Sequence, residues 1–479
     1  MIFPGFDAFR RSGFSPRVAI VGAGPAGTTI ARKLAAANVP VVIFEAGRDD
    51  YDDLSQNFYA GKVIGDPYFE LDVTRLRYQG GSSNHWAGWC RALDALDFEP
   101  KPWVPDTGWP IRRDAIEPYL EETRAILDLV PFEPDRPLSE SIRWVQLIKS
   151  PAVRFLEKFG AELEASQTIA LVRDTYVTEL QGDGARVTGA RIWSNGSPRG
   201  AFSAPFFVVA TGGLENSRLL LWSNDRSNGG VVPQAGALGR YWMEHPHYQA
   251  GNAILPKPEA FETDAVREAF FSPSWAAMER AKILNFGIRL VEQPYHGVKA
   301  LISSLACSAP GTAEWAAGEI DNNLRCAAQL HVAWEMAPVA TNRVALSQTD
   351  RDRAGVPRIE LHWRKSEQER RTVLESMRLF GDTLARADLG RLRIVDWLRN
   401  GEAYPEDAEI GGNHHMGGTR MGTDPARSVV DADCKVHGMA NLFVGGSSVF
   451  PTSGQANPTT TLVALACRLG EHLKTVVNA

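Results

Sequence analysis

Short apolar runs with no polar alternation mark the frame of this chain: residues 18–21 (Val-Ala-Ile-Val), 40–44 (Pro-Val-Val-Ile-Phe), 204–210 (Ala-Pro-Phe-Phe-Val-Val-Ala) and 441–444 (Asn-Leu-Phe-Val). Such runs read as strands buried on both faces, as in a parallel sheet covered by helices. Helical patterns follow or flank them. Residues 28–37 come directly after the first run, and another helix starts at 214. Residues 114–127 read as a surface helix. Residues 366–387 form a long charged helix, with Ser366 and Glu369 at capping-box spacing. The last helix runs over 457–473, with Pro458 at its first position. Residues 165–195 instead alternate, broken by Gly-Asp-Gly and closed by Asn195-Gly196, which predicts a small antiparallel meander. From 236 to about 404, extended runs (281–291, 329–336, 342–346, 357–363) separated by turn signals predict a mixed sheet with helices on one face.

Chemistry enters first at the turn after residue 21. Gly22, Gly24 and Gly27 give G-x-G-x-x-G between a strand and a helix, and Glu45 ends the next strand about 20 residues on. Gly22 permits the tight turn, Gly24 lets a pyrophosphate approach the backbone, and Gly27 lets the helix pack closely. Glu45 stands where ribose hydroxyls are held. The stretch predicts a bound dinucleotide and does not itself separate NAD from FAD. The return of the chain, after a meander, on a strand ending Ala210-Thr211-Gly-Gly is the arrangement of flavoproteins and favours FAD.

Composition narrows the partners. The net charge of −6 over 479 residues leaves no basic footprint for nucleic acid. The five cysteines include no C-x-x-C, so neither zinc nor an iron–sulfur cluster is expected, and no metal site is assigned. Arg10 and Arg11 lack a following apolar stretch, and no run reaches membrane-span length, so a soluble cytoplasmic protein is expected. The oligomeric state stays open.

Two glycine-rich loops carry the remaining signals. Residues 77–91 hold Gly80-Gly81-Ser-Ser-Asn-His-Trp86, small residues suited to lie against a flat ligand. Near the C-terminus stand Gly-Gly-Asn-His414-His415-Met-Gly-Gly-Thr419 and Gly445-Gly-Ser-Ser…Gln-Ala-Asn457-Pro-Thr. A histidine is the natural base to take a hydroxyl proton while hydride leaves the adjacent carbon. The helix N-terminus at Asn457 can stabilise negative charge on a reduced ring. No G-x-S-x-G elbow occurs, which argues against acyl transfer.

Taken together, the dinucleotide turn, residues 80–86, Ala210-Thr211, the stretch Gly239-Arg-Tyr-Trp-Met-Glu-His and residues 415–461 resemble the glucose–methanol–choline (GMC) oxidoreductases. The resemblance implies FAD and oxidation of an alcohol to a carbonyl by hydride transfer to flavin N5. It implies His415 as base, because that histidine stands four residues before the threonine of Gly418-Thr419. Asn457 falls on the second catalytic position. The implied cofactor contacts are Gly22, Ala23, Gly24, Pro25, Ala26, Gly27, Glu45, Ala46, Gly81, Ser82, Asn84, His85, Trp86, Ala210, Thr211, Gly445, Gly446, Ser447, Pro458 and Thr459. Gly445 stands where the family usually has an acid. The motifs look most like the pyranose 2-oxidase and sugar-dehydrogenase branch. His85 holds the position that carries flavin covalently in pyranose oxidases, and non-covalent relatives also have histidine there; non-covalent binding is the expectation.

The resulting expectation is an α/β protein: a Rossmann-like FAD-binding domain with an inserted antiparallel meander (16–75, 150–235, 411–479), a FAD-covering loop and linking helix (76–149), and an α+β substrate domain (236–410). It would oxidise a sugar, glycoside or polyol, with Trp334 or Gln329 as candidate pocket residues. Oxygen, a quinone or another acceptor would take the electrons. A non-sugar alcohol, or a role as catalytic subunit of a multi-subunit dehydrogenase, is the alternative.

Overall fold

The computed structural model describes residues 1–255, 260–261, 268–292 and 328–478. The predicted run 281–291 lies within these residues, and 293–327 lie outside them. A six-stranded parallel sheet forms the centre, in the order Ile2–Phe3, Ile169–Val172, Val41–Phe44, Val18–Val21, Phe206–Val209, Leu442–Val444. Four of these are runs whose lack of alternation predicted burial on both faces, and Val18, Ala19, Ile20, Leu442, Phe443 and Val444 are fully buried. The sheet also takes in Ile2–Phe3 and Ile169–Val172. The latter belongs to the stretch read as the start of the meander, yet its four residues Ile-Ala-Leu-Val are all buried and pair in parallel with Val41–Phe44. The meander itself is Thr175–Gly182, Val187–Ser194 and Ser197–Phe202.

Two helices seal one side of this sheet. Pro25–Ala35 follows the dinucleotide turn, and Pro458–Asn478 packs against it. Their close approach depends on Gly470, where an added Cβ would lie 2.6 Å from Lys33 Cβ.

A second, seven-stranded antiparallel sheet runs Arg391–Ile394, His247–Ile254, Ala328–Trp334, Phe286–Glu292, Glu268–Pro273, Ile142–Val145, Arg136–Pro137. The long helix Glu367–Arg386 covers it, started by the Ser366/Glu369 capping box, and buries Val373, Met377, Phe380 and Leu384 in a second core. Parallel and antiparallel pairing mix in a three-stranded sheet, where Pro357–Trp363 pairs antiparallel with Arg343–Arg351 and parallel with Gly61–Gly65. No helix of the described residues is long and apolar enough to cross a membrane.

The two helical glycines with opposite surroundings give a test. Gly470→Val should cost about 1–3 kcal/mol, because it overpacks the helix pair. Gly160→Ala, in the helix Phe155–Ala165, meets nothing closer than Leu156 Cδ1 at 3.9 Å and should gain about 1 kcal/mol from helix propensity. Urea unfolding of the two variants checks both signs.

Candidate active site

The carboxyl ends of the parallel strands open onto a cavity of about 520 Å³. Its wall runs from Glu45 and Ala46 past Gly22, Gly24, Pro25 and Ala26, then Gly81, Ser82, His85 and Trp86, to His415, Gly446, Ser447, Asn457, Pro458 and Thr459. Ala210 and Thr211 border it as well. The chain thus brings the two motif-bearing ends of the sequence to one space.

Each glycine of the turn has a different reason. Gly22 has φ +104°, and a Cβ there would sit 2.5 Å from the Ala210 carbonyl oxygen. A Cβ on Gly27 would lie 2.0 Å from the Gly22 carbonyl oxygen. A Cβ on Gly24 would meet no protein atom within 4 Å, so its bareness faces the cavity. Gly81, at φ +54°, lies against Gly24 Cα, and Gly80 N–H donates to the Ala23 carbonyl at 3.1 Å. The second glycine loop therefore sits directly on the first.

Four of the expected contact residues stand behind the wall rather than on it. Ala23 donates its N–H to Glu45 Oε2 at 2.9 Å. Gly27 packs under the turn. Asn84 donates to the Gln79 carbonyl at 2.9 Å. Gly445 is pressed on Ile30, whose Cδ1 would be 3.0 Å from an added Cβ; that crowding leaves no room for an acid side chain. Glu45 holds the backbone N–H groups of Ala23 and Gly47 and still borders the cavity, with lone pairs left for a hydroxyl.

His415 is held from three sides. Ser447 Oγ donates to its carbonyl at 2.6 Å, Gly213 approaches so closely that a Cβ would lie 2.6 Å from His415 Cβ, and its Nε2 lies 3.1 Å from Tyr68 Oη. Burial, with the positive charges of Arg75 and His85 adding to it, pushes its pKa down to about 3, so the ring is neutral. His414 is neutral for the same reason, burial first and neighbouring histidines second. His245 Nε2 faces the Gly454 carbonyl at 2.9 Å and must carry the proton. Its Nδ1 is then an acceptor, so the His414 Nδ1 at 3.0 Å is the donor. Glu244, 2% exposed, accepts from His245 N–H at 2.8 Å, from His414 N–H at 2.7 Å and from the Tyr68 hydroxyl. Burial pushes its carboxyl up to about 7.

Sequence reading missed Tyr68, Glu244, His245, His247, Arg289 and Gln455. Of these, Glu244 and His245 carried a signal: a polar pair at the end of the otherwise apolar stretch Tyr-Trp-Met-Glu-His. Gln455, 4% exposed, and His247 border the cavity, and Gln455 Nε2 and His247 Nε2 have no partner among the described residues. Trp334 and Gln329 do not border it. Trp334 is fully buried in the second core, and the neighbouring Ala333 reaches the cavity instead.

Residues 338–466 match the family model described as GMC oxidoreductase. Over these residues the chain is similar to the GMC oxidoreductases. Over almost its whole length it is similar to two curated relatives. One is a C-glycoside 3-oxidase of Microbacterium trichothecenolyticum (25% identical, 96% of this chain and 97% of the relative). The other is a 2-methyl-1,2-propanediol dehydrogenase of Mycolicibacterium austroafricanum (24% identical, 95% and 94%). A fructose dehydrogenase large subunit of Gluconobacter japonicus is 26% identical over 66% of this chain, which spans about half of that relative (54%). The fold is shared with a crystal structure of pyridoxine 4-oxidase from Mesorbium loti (TM-score 0.59, 17% identical, 96% and 99% covered). Relatives in this GMC family are oxidases and dehydrogenases acting on CH–OH groups, and GMC oxidoreductases bind FAD.

The residues present fit that group. The bare face of Gly24 is a space that a Cβ would fill, it lies at the N-terminus of the helix Pro25–Ala35, and first-turn N–H groups there lack intrahelical acceptors. This separates binding from folding in one substitution. Gly24→Val meets no protein atom with its Cβ, so circular dichroism and the unfolding midpoint should stay near wild type, while the purified protein loses most of its 450 nm flavin absorbance.

Proposed function

We propose that this protein oxidises a hydroxyl of a sugar, glycoside or polyol to a carbonyl, with His415 as the base and Asn457 as the second group on the reacting oxygen. The observation that carries the reading is the meeting of His415 and Asn457 with the Gly22–Gly27 turn on one cavity. When bound, FAD supplies the oxidant for the carbon. His415, neutral at working pH, takes the hydroxyl proton. Asn457, half-buried at the start of the last helix, offers an amide to orient the same oxygen. Gln455, His247 and Arg289 line the same space, and the unpartnered amide and ring nitrogens of the first two suit a ligand with several hydroxyl groups. The similarity to a C-glycoside 3-oxidase and a fructose dehydrogenase supports this substrate class. FAD is held without a covalent bond, beside His85.

Anaerobic flavin bleaching against D-glucose, D-fructose, phenyl β-D-glucoside and 2-methyl-1,2-propanediol tests the substrate class; bleaching by the diol and by none of the sugars would reverse it. His415→Ala should remain yellow and folded while its flavin reduction slows by about 10²–10⁴-fold. Acid precipitation should leave the flavin in the supernatant, whereas a yellow pellet would mean a bond to His85.

A further inference from the structure

Glu244 is a buried carboxylate that the scheme above leaves without a task. Its acceptor sites face the backbone N–H groups of His245 and His414 and the hydroxyl of Tyr68. Its own N–H points at Met336 Sδ. Glu409, a charged neighbour that acts on it, is itself acidic. Tyr68 stands between Glu244 and His415, aimed by edge-on packing against Phe69, Trp242 and Trp363 with ring centroids 5.4, 5.7 and 4.9 Å away. Its Oη reaches Glu244 Oε2 on one side and His415 Nε2, 3.1 Å away, on the other. The three groups come from residues far apart in sequence, with Tyr68 and His415 347 positions apart.

We propose that Tyr68 and Glu244 form a proton relay that carries the substrate's hydroxyl proton away from His415. The proposal rests on His415 as the base. With Glu244 ionised, Tyr68 donates to it and accepts from His415 Nε2–H, which leaves His415 Nδ1 bare. Among the described residues the ring's hydrogen bond is the one at Nε2, and His415 borders the cavity. In the step, the substrate O–H bond breaks and Nδ1–H forms. His415 gives its Nε2 proton to Tyr68 Oη, and Tyr68 gives its own proton to Glu244 Oε2. The O–H electron pair becomes the second bond of the carbonyl, and the C–H hydrogen leaves with its pair to the oxidant that bound FAD supplies. His415 exchanges one neutral tautomer for the other, and the carboxylate ends as a neutral acid.

The electrostatics favour that route. An imidazolium at His415 is opposed by burial and by Arg75 and His85, and Tyr68 is held far from ionising by burial and Glu244. Burial and Glu409 favour the protonated form of Glu244. The His245–His414 pair offers no competing exit, because its end proton is committed to the Gly454 carbonyl. The arrangement also couples pH to the base. Once Glu244 is protonated it donates to Tyr68, Tyr68 donates to His415 Nε2, and the proton of His415 moves to Nδ1, where it blocks the reaction. Activity therefore rises with pH through about 7, the region to which Glu244 is pushed.

The test uses FAD-loaded wild type, Tyr68→Phe, Glu244→Gln and His415→Ala. Nitrogen-15 NMR of labelled histidine follows the tautomer of His415 from pH 5 to 9, and stopped flow follows flavin reduction by whichever of the four alcohols named above bleaches fastest. The relay requires a tautomer switch in wild type near pH 7, its loss in Tyr68→Phe and Glu244→Gln, an acidic limb of the reduction rate that vanishes in Glu244→Gln, and reduction slowed at least about tenfold in Tyr68→Phe. If His415→Ala loses reduction while Tyr68→Phe and Glu244→Gln keep the wild-type rate and acidic limb, the relay is wrong and the base stands. Wild-type reduction in His415→Ala overturns both. Should Glu244→Gln fail to hold flavin, Tyr68→Phe, which keeps the ring packing, decides alone.

Discussion

The site depends on one saturated carboxamide. Asn216 is fully buried, and its side chain has two acceptor and two donor positions. Its Oδ1 takes the N–H of Thr211 at 2.7 Å and the Thr211 hydroxyl at 2.8 Å; its Nδ2 gives to the Gly445 carbonyl at 2.9 Å and to Ser448 Oγ at 2.8 Å. Ser448 in turn takes the Thr419 hydroxyl at 2.7 Å. One side chain therefore ties the ends of two parallel strands to the loop that carries His415. Glycine is forced on both sides of this knot. Gly213 lies under His415, and Gly418, at φ +89°, would place a Cβ 2.3 Å from Ser217 Oγ. A buried amide that loses any of these partners leaves a polar group unpaired, at about 1–3 kcal/mol each. The loop is thus pinned by interactions that have nothing to do with the ligand.

What the sequence made legible was what lies close along the chain. Buried parallel strands write themselves as unbroken apolar runs, and the turn at Gly22–Gly27 is complete within a few residues. The His415 loop and the helix at Pro458 are equally local. The pairing of Tyr68 with Glu244 was not legible: Glu244 stands out within Tyr-Trp-Met-Glu-His, but nothing local links it to a tyrosine in a distant loop. One is a tyrosine in a polar loop, and the other a glutamate next to a histidine. Their meaning comes from a contact made across 176 residues. The pocket residues failed to be read for a different reason. In the strand Ala328–Trp334 the odd-numbered positions share one face and Trp334 points to the other, into the core. Gln329 shares the face of Ala333, but four residue steps along the strand put them about 13 Å apart. Assigning that face needed the pairing partner, Phe286–Glu292, as well as the strand itself.

The histidines gathered at the cavity carry no charge. His245, His247, His414 and His415 are all kept neutral by burial. Three arginines on its wall are paired: Arg75 with Glu215 at 2.8 Å, Arg218 with Glu215 and Asp352 at 3.3 and 2.7 Å, and Arg289 with Glu268. Burial alone would raise Glu215, and Arg218 and Arg75 outweigh it. A net positive field reaches His415 from Arg75 without a direct contact. Such a field opposes a proton resting on the ring and favours negative charge left on a substrate oxygen beside it.

The same logic explains the shape of the far wall. Gly287 and Ala333 lie opposite each other across the pairing of Phe286–Glu292 with Ala328–Trp334. Both border the cavity, so two adjacent strands present almost no side chain there. A Cβ on Gly287 would fall 2.6 Å from Gln455 Oε1, so the glycine is what allows Gln455 to lie flat on the sheet. The result is a floor of backbone with polar groups at its edges: Gln455 on one side, His247 and Arg289 on others. Phe270 and Trp89, two of the aromatic rings that border the cavity, sit 5.1 Å apart, centroid to centroid, and pack edge to face. Polar groups that edge such a floor without protein partners must find them in whatever enters, because a polar group taken out of water unpaired is costly.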